Sequence, residues 1–169
     1  MAFRLDRIPL IGADREISLG GVSVMLRRYQ PVVWVRLVPW VGPRHSEAVT
    51  FPAVIDTGNN HSFLIPASLF EAWVRLDPET LMTRHKVRVN DRELSCHGLN
   101  IDVYRMRRGD AIDRIAGRLQ TDRGVVIVKR TVEHQFPRLP VIGVRSLCAS
   151  RASFALSGDL ETFSLRGPG

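Results

Sequence analysis

Asp56, Thr57 and Gly58 form the most informative motif in the chain, because they follow directly on the apolar run 53–55. A carboxylate placed where a buried strand ends in a turn is held by rigid backbone beside apolar side chains, which raises the cost of its charge. Such a carboxylate is suited to acid and base chemistry. The Thr57 hydroxyl can hydrogen-bond to nearby backbone, and Gly58 allows a second chain or a substrate to approach closely. A plainer interpretation stays open, in which Asp56 only caps its own turn.

His85, Cys96 and His97 are the other candidates for chemistry. Their spacing matches no standard zinc pattern and no fourth ligand accompanies them, so we expect no metal. Cys96 and His97 do not make a thiol nucleophile and its base, because adjacent residues on a strand point to opposite faces. The sequence also has no serine-hydrolase elbow and no glycine-rich phosphate loop. We therefore expect no cofactor.

The segments around Asp56 predict the elements that must hold it. Residues 22–28 and 32–38 are strand-like and predict a hairpin. Residues 49–55 are almost continuously apolar, which indicates a strand buried on both faces that leads directly into Asp56. A helical spacing of apolar residues then runs over 66–77, from a proline to an Asp-Pro pair.

The second half of the chain is also rich in strand patterns. Residues 86–89 and 94–104 predict two strands around a polar turn at Asn90 and Asp91. Residues 105–123 fit either a helical face or a charged surface insertion, and no element is assigned to them. Further short strands are predicted at 125–129, 139–142, 154–156 and 162–165, with a helical turn at 145–150. The fold class is therefore all-β, with one or two short helices.

Two separated pieces of the sequence resemble the retropepsin-like aspartic proteases, the half-sized relatives of pepsin. The first is Ala-Val-Ile-Asp-Thr-Gly at 53–58 with the apolar strand that follows it. The second is Leu-Pro-Val-Ile-Gly-Val-Arg at 139–145, which is similar to the apolar-apolar-Gly motif before the family's C-terminal helix. The resemblance covers about 49–165 and implies a closed β-barrel that forms half of a two-fold symmetric dimer.

The resemblance also implies an activity, aspartic endopeptidase, with Asp56, Thr57 and Gly58 as the catalytic motif. Because the chain has one such motif, two copies must pair so that each contributes Asp56 to one site. The terminal strands, chiefly 162–165 with part of the first few residues, are the expected contacts in this homodimer. The implied substrate is a peptide or protein, and no metal or cofactor is implied.

The resemblance assigns two further sets of residues. The segment 86–104 takes the place of the family's flap hairpin and the strands that follow it, and the substrate-binding tip is expected at Val89, Asn90, Asp91 and Arg92. The second motif supplies structural residues at Val141, Ile142, Gly143 and Arg145. The viral members of the family place an arginine directly after this glycine, whereas this chain has Val144 there and Arg145 one position later.

The charge of the chain suggests a rival function. It carries 24 Lys and Arg against 17 Asp and Glu, a net charge of +7, and all but two of the basic residues are arginine. Arginine clusters can bind phosphates, but a coding bias toward arginine explains the same composition, and the arginines are dispersed, so we do not expect nucleic acid as a partner. The rival hypothesis is a catalytically silent module of the same fold that binds an acidic partner or nucleic acid.

Length and composition define the general class of the protein. A chain of 169 residues with 44% hydrophobic residues fits one domain, 1–169, with a sizeable core. No apolar run is long enough for a membrane helix and no signal peptide is recognisable, so we expect no membrane contact. Two dispersed cysteines exclude a disulfide scaffold, and a cytoplasmic location is expected.

Overall fold

The computed structural model describes residues 3–42, 48–89, 91–107, 110–129 and 138–168. In this part of the chain strands dominate, as expected for an all-β protein. The strands are β1 Arg4–Pro9, β2 Arg15–Leu19, β3 Val22–Leu26, β4 Val32–Pro39, β5 Phe51–Asp56, β6 Phe63–Pro66, β7 Thr83–Val89, β8 Arg92–His97, β9 Leu99–Arg107, β10 Asp110–Leu119, β11 Val125–Val128, β12 Val141–Gly143, β13 Ser153–Leu156 and β14 Thr162–Arg166.

Helical structure is short. The helix α1, Ala67–Leu69, continues into a π-helical turn at Phe70–Val74, and a 3₁₀ turn covers Pro78–Thr80. The helix α2, Val144–Ala149, follows β12 directly. The helical segment predicted over 66–77 therefore ends earlier than its pattern suggests, because Arg75 takes a left-handed conformation with φ 56°. None of the helices in the described residues has the length and apolar character that a bilayer crossing requires.

Nine strands form the main sheet, in the order β10-β9-β4-β5-β12-β6-β11-β8-β7. The centre of the sheet contains both parallel and antiparallel pairs. Strand β12 runs parallel to β5 and antiparallel to β6, and β6 runs parallel to β11. The sheet has two edge strands, β10 and β7, so the described residues contain no closed barrel of the kind expected from the resemblance.

Pairings between distant segments correct two local predictions. The strands at 22–28 and 32–38 do not form a hairpin with each other. Instead, β3 pairs with β2 in a separate two-stranded sheet, and β4 pairs with β5 and β9. The strand predicted over 94–104 is divided at Gly98, whose N–H and carbonyl bond to Met82 and Trp40 at 2.7 and 2.9 Å. Residues 110–119 within the unassigned segment 105–123 form β10, which pairs with β9.

The core lies between the main sheet and the segments around it. Phe51 at the start of β5 stacks on Trp73 with 5.2 Å between the ring centroids, and both side chains are fully buried. The Trp73 Nε1–H donates a 2.7 Å hydrogen bond to the Leu19 carbonyl, so the π-helical turn is tied to the β2–β3 sheet. This packing fixes the start of β5, the strand that ends at Asp56.

The two ends of the chain meet in a third sheet of three strands, in the order β1-β14-β13. Both edges of β14 are therefore paired within the chain, with Leu165 opposite Leu5 on one side and Phe154 on the other. A second copy cannot add a strand directly to β14. Among the described strands of this sheet, only the outer edges of β1 and β13 are left for such pairing.

Candidate functional site

The topology brings the two sequence motifs together. In the parallel pair of β5 and β12, Val141 lies opposite Val54, Ile142 opposite Ile55 and Gly143 opposite Asp56. Gly143 follows Asp56 by 87 positions in the chain (143 − 56). The end of the second motif therefore lies directly beside the first residue of the Asp-Thr-Gly motif.

Asp56 lies in a tight turn at the end of β5. Its Oδ1 accepts a 2.9 Å hydrogen bond from the Gly58 N–H, and its carbonyl accepts one of 3.1 Å from the Asn59 N–H. A Cβ on Gly58 would stand 3.2 Å from the same Oδ1 atom, so a side chain there would press on the carboxylate. The turn thus fixes the Asp56 side chain, and the plainer interpretation of Asp56 as a cap of its own turn describes a contact that is present.

The surroundings of Asp56 differ from the sequence expectation in one respect. Asp56, Thr57 and Gly58 are all exposed in the single chain, and apolar walls do not enclose the carboxylate. Within the described residues the Thr57 hydroxyl makes no hydrogen bond, so it does not lock the loop as expected. Along β5 the burial ends at Ile55, and Asp56, the last residue of the strand, is already exposed. The Asp56 and Thr57 side chains are therefore accessible to a second molecule.

Gly143 holds the loop that follows the Asp-Thr-Gly motif. Its N–H donates to the Ser62 carbonyl at 3.1 Å, and the next N–H, of Val144, donates to the Asn59 carbonyl at 2.8 Å. A Cβ on Gly143 would stand 1.9 Å from the His61 carbonyl oxygen and 2.7 Å from that of Asn59. Only glycine fits this position, which gives a physical reason for the glycine in the second motif.

A polar network behind the loop joins it to α2. Asp122 Oδ1 accepts a 2.6 Å hydrogen bond from Ser62 Oγ, and its Oδ2 pairs with Arg145 Nη1 at 3.1 Å. Ser146 Oγ donates to the Ser62 carbonyl at 2.8 Å. Partial burial acts to raise the pKa of Asp122, but the bonds from Ser62, Arg145 and the Arg123 N–H outweigh it and hold that pKa below its ordinary value.

The sequence reasoning identified Arg145 in this network but missed Ser62, Asp122 and Ser146. Ser62 and Asp122 are 60 positions apart, and no local pattern connects them. The available signal was that Ser62 stands at the start of the strand after the motif and yet is polar, and it is only 3% exposed in the structure. A buried hydroxyl needs a partner, which Asp122 supplies.

The predicted hairpin is present as β7 and β8, with Val89 opposite Arg92 in register. Asn90, which belongs to the expected tip, lies outside the described residues. Asp91 has a left-handed backbone with φ 61° and pairs with Arg88 at 3.6 Å. The strand β8 pairs with β11, and β11 pairs with β6, the strand that follows the Asp56 loop. The hairpin is thus connected to the loop through two intervening strand pairings.

A groove of about 270 Å³ separates this hairpin from the loop after Asp56. We call it the basic groove, because four of its lining side chains are cationic. Its lining residues are Asn60, His61, Ser62, Lys86, Val87, Arg88, Cys96, Arg123, Gly124, Val126 and Arg145. Of the residues predicted from the sequence, Arg145 lines the groove, whereas Asp56, Gly143 and the expected tip residues Val89, Asp91 and Arg92 do not.

Two titratable groups of the basic groove are perturbed by their surroundings. Burial, with the nearby Arg145 charge, lowers the pKa of His61, which favours its neutral form. Burial raises the pKa of the Cys96 thiol, although the charge of Arg123 acts against this. A thiol that is 1% exposed and held protonated is poorly suited to act as a nucleophile. The described residues contain no group of three or more side chains suited to hold a metal ion.

Comparison with known proteins adds no relative. The chain matches no protein-family model, no curated protein and no solved structure.

Proposed function

We propose that the chain is one subunit of a retropepsin-like aspartic endopeptidase, in which two Asp56 carboxylates, one from each copy, form a single catalytic site. The observation that carries the proposal is the register that sets Gly143 opposite Asp56. It places the two motifs of the resemblance side by side, although nothing in their local sequence requires them to meet. Peptide hydrolysis by two carboxylates is the chemistry that the resemblance implies for this arrangement.

The exposure of Asp56 supports a shared site. Two carboxylates in contact hold one proton between them, so that one can act as a base and the other as an acid. Asp56 is fixed by its turn and is accessible from outside the chain. The Thr57 hydroxyl beside it is free to bond across the same contact. A two-fold axis close to this turn would bring the two Asp56 carboxylates together, and the two Thr57 hydroxyls beside them.

The reaction in such a site begins with one ionised and one protonated Asp56. The ionised carboxylate takes a proton from a water molecule as the water oxygen attacks the scissile carbonyl carbon. The protonated carboxyl gives its proton to the carbonyl oxygen, so a neutral tetrahedral diol forms. The carboxyl that took the proton from water then gives it to the amide nitrogen, while the other carboxylate takes a proton from a diol hydroxyl. The C–N bond breaks, which leaves a carboxyl group, an amine and a pair of Asp56 side chains that again holds one proton.

The dimer contact must satisfy the topology of the terminal sheet. Because both edges of β14 are paired, a shared sheet would use the outer edge of β1 or β13. Along β13, Leu156 is 49% exposed and so is available to such a contact. The chain itself is the expected partner, and a peptide or protein is the expected substrate.

The second candidate is a silent module of the same fold that binds an acidic partner. The observation that favours it is the basic groove. Four cationic side chains line this groove, and Asp56 does not. This candidate predicts binding that does not depend on the Asp56 carboxyl. The two functions are therefore separated by substitutions at Asp56.

Asp56→Asn tests the proposal, because it keeps the side-chain shape and removes the titrating group. Asp77→Asn is a matched control, since Asp77 is also exposed and its Oδ1 also accepts a 2.9 Å bond from the N–H two residues later. Cleavage of a mixed peptide library, followed by mass spectrometry, should be lost in Asp56→Asn and kept in Asp77→Asn. Equal cleavage by parent and Asp56→Asn would exclude the catalytic role.

A further inference from the structure

The basic groove has an unbalanced charge. Lys86, Arg88, Arg123 and Arg145 line it, and no carboxylate does. Three of these cations have partners outside the lining: Glu93 pairs with Lys86 at 2.9 Å, Asp91 with Arg88 at 3.6 Å and Asp122 with Arg145 at 3.1 Å. Arg123 has no ion pair among the described residues. Its guanidinium is therefore free to bind an anion that enters the groove.

The position of the groove connects it with the proposed site. The groove is lined by Asn60, His61 and Ser62, which belong to the loop after Asp56-Thr57-Gly58, together with Lys86, Val87 and Arg88 of β7. Hydrogen bonds of Ser62 with Gly143 and Asp122 hold this loop in place. Asn60, which lines the groove, follows Asp56 by four positions, so at most about 14 Å of chain separates them. A peptide bound at Asp56 can therefore reach the groove with one of its side chains.

The size and lining of the groove favour a single side chain as its occupant. Its volume of about 270 Å³ is below the range of roughly 300 to 1,000 Å³ that is usual for sites of drug-sized ligands. None of its lining residues is Phe, Tyr or Trp, so it offers no platform for a nucleotide base. A carboxylate on a short chain matches both the volume and the charge.

We propose that the basic groove binds an Asp or Glu side chain of the substrate, so that the enzyme prefers acidic residues near the bond it cleaves. This inference rests on the proposed function for the cleavage, while the binding of an acidic peptide can be measured without it. Arg123 is the residue that selects the carboxylate, because the charges of Lys86, Arg88 and Arg145 are offset by their own carboxylate partners.

Pairs of peptides that differ only by Glu or Gln at one position, scanned along the sequence, test the preference. At low ionic strength the parent should cleave the best Glu peptide with a kcat/KM about tenfold above its Gln partner, which corresponds to about 1.4 kcal/mol. Arg123→Gln should reduce this ratio to near one, and Arg123→Lys should keep most of it. Added salt should lower the ratio in the parent, because exposed charges are screened.

Arg138→Gln is the control, because it removes an arginine that is exposed and does not line the groove. Arg138 precedes β12, and it is the other end of this strand, at Gly143, that lies beside Asp56. This variant should keep the Glu preference of the parent. A loss of preference equal to that of Arg123→Gln would mean that net charge alone decides, and it would overturn the assignment.

Binding of fluorescein-labelled peptides to Asp56→Asn, measured by anisotropy, separates the two proposals. An Arg123-dependent preference for the Glu peptide supports the groove assignment, even where no variant cleaves any peptide and the proposed function fails. Equal binding and equal cleavage of Glu and Gln peptides overturn the assignment, even where cleavage depends on Asp56. A single-stranded oligothymidine that binds more tightly than the Glu peptide, and that needs Arg123, would also overturn it.

Discussion

Gly143 lies so close to His61 that a Cβ on the glycine would stand 1.9 Å from the His61 carbonyl oxygen. Real side chains do not approach backbone oxygens to this distance, so any residue other than glycine would force β12 and the loop after Asp56 apart. The same loop carries Asn59 and Ser62, whose carbonyls accept the N–H groups of 144 and 143. The position of Asp56 therefore depends on the absence of a side chain at Gly143.

Gly143→Ala should destabilise the fold by about 3 kcal/mol or more, the upper range for overpacking, because the neighbour is backbone and cannot rotate away. Gly12→Ala is the control, since a Cβ on Gly12 would meet nothing within 4 Å. Urea denaturation at one fixed protein concentration measures both free energies of unfolding. Equal stability of the two variants would contradict the role given to Gly143.

Ser62→Ala should cost about 1 to 2 kcal/mol, because it removes the hydrogen bond to Asp122 and leaves a gap at a buried site. The lower part of this range is expected, since the Asp122 side chain is 38% exposed and water can replace the lost donor. Ser18→Ala, at an exposed serine of β2, is the control and should change stability little. A Ser62→Ala variant as stable as Ser18→Ala would show that the bond contributes nothing.

The pKa of Asp122 predicts a dependence of stability on acid. In the folded chain this pKa lies below its ordinary value of 3.8, so the ionised carboxylate stabilises the fold. The stabilisation is fully present above that value and is lost as the pH falls through the folded pKa. Asp122→Asn should therefore lie below the parent in stability near neutral pH, and the difference should shrink under strongly acidic conditions. A difference that grows as the pH falls would reverse the assigned sign.

The two motifs that the structure brings together could be found in the sequence because their signals are local. The apolar strand before Asp56, and the glycine that ends Val141-Ile142-Gly143, both stand in short contiguous segments. The pairing of β4 with β9, the strand β10 and the Ser62–Asp122 bond could not be predicted, because they depend on register between distant segments. Strand β10 is an edge strand and contains charged residues and a glycine, so its alternation of apolar and polar residues is hard to recognise.

The proposed pair of carboxylates predicts a bell-shaped dependence of activity on pH. Two carboxyl groups in contact lose their protons in two separated steps, and only the singly protonated pair is active. The maximum of kcat/KM should fall under mildly acidic conditions and should be absent in Asp56→Asn. An activity that rises steadily to alkaline pH would indicate a metal or thiol mechanism instead.

The central claim is that one active site needs Asp56 from two chains, and mixing subunits tests it most directly. Parent and Asp56→Asn chains are combined in equal amounts and allowed to exchange, with exchange followed by mass labelling. Random pairing leaves about a quarter of the dimers with two intact Asp56 residues, about half mixed and about a quarter with none. A mixture assayed before exchange serves as the control and should keep about half of the activity of an equal total of parent chains.

After exchange, the activity should fall to about one quarter, because a mixed dimer has only one carboxylate and cannot share a proton between two. An exchanged mixture that stays at about one half would mean that each chain carries its own complete site, and it would contradict the shared Asp56 pair.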